Sequence, residues 1–155
     1  MIKQIRELKS GKMLDELIAL KFLKLKKPKV EKYDGQSPVA LGWQVAKEDR
    51  LERWDYNCET KMYEVIEKFP RNYSTNISDA WIVVEKLIEM HPDRDIHLEH
   101  FRDKWSVGFC WFPSKSNKWG KWNGDMPDAE GETLPEAICK LALIVCGKEI
   151  DKRLL

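Results

Sequence analysis

An α+β fold, with a small antiparallel sheet covered by amphipathic helices, is predicted by three stretches of this sequence. Residues 71–90 (RNYSTNISDAWIVVEKLIEM) open on polar capping residues and continue with apolar residues at helical spacing. Residues 133–146 open on Thr-x-x-Glu and continue as an apolar run. Between them, residues 95–112 alternate apolar and polar as a hairpin does.

In the first stretch, Asn76 followed by Asp79 forms a loose capping box, and an acid in the first turn suits the helix dipole. Ile77, Ala80, Trp81, Val84, Leu87 and Ile88 make one apolar face. His91-Pro92 ends the helix, because proline cannot continue it. In the hairpin, Trp105, Val107, Phe109 and Trp111 share one face across a turn at Arg102-Asp103-Lys104. In the last stretch, Ala137, Ile138, Leu141, Ala142, Ile144 and Val145 form the apolar face, with Gly147 as C-cap.

The rest of the chain is read in order. Ile2, Ile5 and Leu8 have weak helical spacing, and Ser10-Gly11 interrupts. Residues 12–25 read as a helix with Leu14, Leu17, Ile18, Phe22 and Leu25 on one face, closed by Pro28. Residues 39–46 suggest a short strand. Residues 47–56 are charged and suggest a helical turn or a loop. Residues 58–69 place Met62, Val65, Ile66 and Phe69 at helical spacing, so a short helix is expected before Pro70. Residues 113–132 read as a long polar loop, with a short third strand near 118–122.

The 155 residues fit one domain, with a core over about 12–147 and an irregular insert over about 28–70. Hydrophobic residues make up 43% and charged residues 34%, an ordinary globular balance. Residues 1–32 hold ten Lys/Arg against four Asp/Glu, so +6; the remainder holds 17 against 22, so −5. A basic end on an acidic body argues against a whole-surface nucleic-acid binder. It leaves a local grip on phosphates at Lys21 to Lys32, or a plain solvated tail. No run is long enough to span a bilayer, and no secretory signal precedes the chain, so a cytoplasmic location is expected. Cys58, Cys110, Cys139 and Cys146 form no Cys-x-x-Cys; Cys139 and Cys146, seven apart on one predicted helix, read as small buried hydrophobes rather than a disulfide framework.

Two segments, YSTNISDAWIVVEKLIE (73–89) and AEGETLPEAICKLAL (129–143), flank the Trp/Phe-rich hairpin. Together they resemble the phage ABA-sandwich domain, and KMLDELIALKFLKL (12–25) is similar to that family's first helix. Tyr73, Ser74 and Thr75 match its Tyr-Ser-Thr-Asp start, with Asn76 where aspartate is usual. Thr133, Pro135, Ala137, Ile138 and Cys139 match its second motif. The resemblance implies a small bacteriophage or prophage protein whose helices sandwich a sheet (an α-β-α sandwich), and therefore the host bacterial cytoplasm. It implies no settled activity. By analogy, small phage proteins of this size sometimes sequester nucleotide immune signals.

Catalytic and metal chemistry find little support. His97 and His100 point to opposite faces of a strand, so no metal site is expected, and no cofactor motif occurs. No nucleophile motif is present either, so the protein is not expected to be an enzyme. Binding is better motivated. Helix starts at Ser74-Thr75-Asn76 and Thr133 offer free N–H groups to an anion, or serve only as caps. Trp119 and Trp122 lie in a polar loop among Lys115, Lys118 and Lys121, where indoles could stack on a base or fold back over the sheet. The expected ligand set is Tyr73, Ser74, Thr75, Lys118, Trp119, Lys121 and Trp122, holding a small nucleotide-type ligand in a homo-oligomer, without a membrane. The alternatives are a module that binds a host or phage protein through the Trp-rich loop, and a nucleic-acid binder.

Overall fold

The computed structural model describes residues 2–26, 43–45, 51–110 and 127–153. The chain forms two compact units, Met1–Lys24 with Asn72–Leu155, and Leu25–Arg71. The fold class is α+β, with four α-helices and two three-stranded antiparallel sheets among the described residues.

In the first unit the centre is the last helix. The helices are α1 (Ile2–Glu7), α2 (Lys12–Leu17), α3 (Ile77–Met90) and α4 (Leu134–Arg153). Helix α2 runs on into a π-helical turn, Ile18–Phe22, and Lys24 at φ 56° follows it. The sheet joins β4 (Asp95–Phe101), β5 (Lys104–Cys110) and β6 (Asp128–Gly131) in that order. Helix α4 touches α1, α2, the π turn and α3 as well as β5 and β6. Its residues explain why. Every side chain from Ala137 to Val145 is buried, so this stretch of the helix is enclosed on all sides rather than along one stripe. The expected cap at Gly147 is corrected: the helix continues to Arg153, with Gly147 buried inside it. Glycine in a helix costs about 1 kcal/mol relative to alanine, a penalty that packing on this scale absorbs.

Helix α3 starts where its sequence directs. The Asn76 side chain accepts from the N–H groups of Ser78 (2.9 Å) and Asp79 (3.2 Å), and His91 stands at the C-terminal end. Its buried arc differs from the expected face. Ala80, Val83, Val84 and Leu87 are enclosed, whereas Ile77, Trp81 and Ile88 are about half exposed. The apolar arc is wider than the surface α4 offers, so its Ile77–Trp81–Ile88 flank stays in solvent. Each fully buried Val or Leu contributes about 1.5–3 kcal/mol.

The β4–β5 hairpin turns at Arg102-Asp103 with Arg102 at φ 59°, and Phe101 faces Lys104. Val107 and Phe109 point into the core, where α4 covers them. The third strand is β6, paired with β5 from Trp105↔Gly131 to Gly108↔Asp128. The strand expected near 118–122 lies outside the described residues.

The second unit corrects the sequence reading most. Where the sequence suggests a helical turn or loop over 47–56 and a helix over 58–69, the described residues form β2 (Leu51–Asn57) and β3 (Met62–Phe69), and β1 (Trp43–Val45) pairs with β2. Two features explain the misreading. The β2–β3 register steps from Arg53↔Glu67 to Trp54↔Val65 and leaves Ile66 as the extra residue of a bulge. That insertion breaks the two-residue alternation and lets Met62, Val65, Ile66 and Phe69 mimic a helical period. The turn is also disguised. The Asn57 side chain accepts from Glu59 N–H (2.9 Å) and Thr60 N–H (3.3 Å), and Lys61 takes φ 56° without any glycine. Tyr56 and Tyr63 then meet edge-on across the strands at 5.3 Å.

All four cysteines are free, but only Cys139 is fully buried. Cys146, expected to be buried, is half-buried, and Cys58 is exposed on the β2–β3 turn. Among the described residues, no helix is long and apolar enough to cross a membrane.

Candidate functional site

A recess of about 300 Å³ opens in the first unit where α1, β5, β6 and the start of α4 converge. Its geometry follows from one tight approach. A Cβ on Gly131 would stand 2.6 Å from the Ala137 backbone nitrogen and 3.0 Å from the Thr133 carbonyl oxygen. Glycine therefore lets the end of β6 run against the first turn of α4. That turn is capped as its sequence predicts, with Glu136 N–H donating to Thr133 Oγ1 at 3.4 Å.

The lining is charged with both signs. Arg6, Lys9, Lys104 and Lys140 supply cations; Glu7, Glu130, Glu132 and Glu136 supply carboxylates. Lys140 Nζ donates to Glu136 Oε1 at 2.6 Å, and both side chains are almost wholly buried. The capping-box role expected of Glu136 thus gives way to a one-turn ion pair on α4. Near the opening, Lys104 approaches Glu130 at 3.8 Å and Arg6 approaches Asp128 at 3.1 Å, all four side chains being exposed. Surface pairs of this kind contribute little to stability. Within α4, burial pushes the Cys139 thiol well above its ordinary pKa, with the charges of Asp15 and Glu136 acting in the same direction.

The residues expected to contact a ligand are placed as follows. Tyr73 and Ser74 are buried. Gly11 N–H donates to Ser74 Oγ at 2.7 Å, and Ser74 N–H donates to Asp15 Oδ1 at 2.7 Å. Gly11 holds φ 127°, a conformation that suits glycine, in the link between α1 and α2. The polar start of α3 therefore clasps the start of α2, and the contacts of Ser74 are to the protein itself. Thr75 is exposed but does not line the recess. Lys118, Trp119, Lys121 and Trp122 lie outside the described residues.

Sequence reading missed the recess. One signal could have found it: Lys140 is the single charge between Ala137 and Val145, four residues after Glu136. A charge in so apolar a run needs a partner or a solvent path, and the spacing supplies the partner. Among the described residues, no three metal-ligating side chains converge. The His91 ring instead stands edge-on to Phe109 at 5.1 Å, and His100 packs on Trp105 at 4.8 Å.

The class defined by this architecture is a small α+β protein whose antiparallel sheet is packed under a buried helix. A family model for the phage ABA sandwich domain matches residues 39–143, and the chain belongs to that family. The match takes in β1 to β6, α3 and the first half of α4; the helices before residue 25 fall outside it. No curated protein and no solved structure matches the chain.

Proposed function

We propose that this phage ABA-sandwich protein captures a small nucleotide-type ligand without transforming it, so withdrawing a host immune signal. The observation that carries this reading is the mixed-charge recess at the N-terminal end of α4. Its cations suit a phosphate, reinforced by the helix dipole. Its carboxylates accept from ribose hydroxyls and exocyclic amino groups. Trp119, Trp122, Lys118 and Lys121, which lie outside the described residues, are the sequence's candidates for stacking and charge under this reading.

Isothermal titration against linear and cyclic nucleotides tests the reading, with mass spectrometry of the recovered ligand. Saturable binding and intact ligand are expected, with Lys104→Glu weakening affinity by about tenfold. Silence across the panel from folded protein would overturn capture, and breakdown products would make the protein an enzyme.

A second reading is favoured by one feature of α3. Ile77, Trp81 and Ile88 expose an apolar flank of the kind that host or phage protein partners bind. Under this reading, Trp81→Ala abolishes a pull-down and leaves nucleotide titration unchanged.

A further inference from the structure

The charge inventory of the recess narrows the ligand. This inference rests on the capture of a nucleotide argued above. Three of the four lining cations already sit in ion pairs: Arg6 with Asp128, Lys104 with Glu130 and Lys140 with Glu136. Among the described residues, Lys9 is the lining cation outside an ion pair, while Glu7 and Glu132 are lining carboxylates outside one. The uncommitted lining charge is therefore one positive and two negative. A polyphosphate would meet one uncommitted cation and two carboxylates. Drawing Arg6 or Lys104 onto its extra phosphates would leave Asp128 or Glu130 facing the same anion. Size argues the same way, because about 300 Å³ lies at the lower bound for small-molecule sites.

We infer that the recess selects a nucleotide with a single negative charge, one phosphodiester and one base. It disfavours nucleoside triphosphates and cyclic dinucleotides. A cyclic nucleoside monophosphate has this chemistry. Its phosphodiester pairs with Lys9. Its free ribose hydroxyl and, where the base carries one, its exocyclic amine donate to Glu7 and Glu132.

Titration at one fixed ionic strength tests this with four probes: a cyclic mononucleotide, the matching 5′-monophosphate, the triphosphate and a cyclic dinucleotide. Affinity is expected to fall by at least about tenfold from the first to the triphosphate. Lys9→Glu should remove most cyclic-mononucleotide binding. The double variant Glu7→Gln/Glu132→Gln should narrow the gap by admitting the triphosphate. All three positions are at or near the surface, and circular dichroism checks that the variants fold. Equal or tighter binding of the triphosphate or dinucleotide would overturn the inference and leave capture intact. So would a gap indifferent to the double variant. A silent panel would remove both.

Discussion

The backbone N–H of Ser74 donates to the Asp15 carboxylate at 2.7 Å, joining the approach to α3 to the first turn of α2 across 59 residues of chain. Ser74 returns the contact through its hydroxyl, which accepts from Gly11 N–H at 2.7 Å. A buried carboxylate accepting a backbone N–H is a charge-assisted bond of roughly twice the ordinary strength. Asp15→Ala should therefore destabilise the protein by about 2–4 kcal/mol, through the lost bond and the stranded donor. Asp15→Asn retains an acceptor oxygen and should cost less. Urea denaturation followed by tryptophan fluorescence measures both.

The ion pair on α4 has a different energetic signature. Removing one partner leaves a charge enclosed without compensation, so Lys140→Met should cost about 3–5 kcal/mol. The double variant Glu136→Gln/Lys140→Met should recover most of that loss, because no uncompensated charge remains. A double-mutant cycle in chemical denaturation gives the coupling. Additive losses would show that the two side chains act independently.

Gly131→Ala probes the strand-to-helix approach. The new Cβ meets backbone atoms of Ala137 and Thr133, which cannot swing aside as a side-chain end can. A loss of about 1–3 kcal/mol is expected from overpacking, read as a lowered Tm. Gly108→Ala is the control, since its Cβ would meet nothing nearer than 3.5 Å.

The cysteines should separate by accessibility. Cys58 is exposed and should react with a thiol reagent in the native protein, whereas Cys139 should react only on unfolding. Cys110 should be slow at neutral pH, because burial and then the Asp95 charge raise its pKa and lower its thiolate fraction. The raised Cys139 pKa also bears on stability. Above the ordinary thiol value of 9.0 the unfolded chain loses this proton while the folded chain retains it, so stability falls as pH rises. Cys139→Ala should flatten the part of that alkaline decline due to this thiol, as measured by denaturation at a series of pH values.

What the sequence determined by itself was local. Asn76 and Thr133 marked helix starts because a side-chain oxygen two or three residues from a free N–H satisfies it without help from the rest of the chain. The β4–β5 hairpin was legible because uninterrupted alternation separates its two faces. The tertiary structure decided everything that depends on distant partners. Residues 51–69 became strands because cross-strand pairing outweighed a helical spacing that the Ile66 bulge had created. Helix α4 became the centre because its Ala137–Val145 stretch, apolar on every side but for Lys140, is covered by helices and sheet together. The recess exists only where Arg6 meets Asp128, 122 residues away, and its charges take their sense from pairs that folding assembles. Opposite charges far apart in the chain attract too weakly in water to be read as partners; only packing brings them within reach of each other.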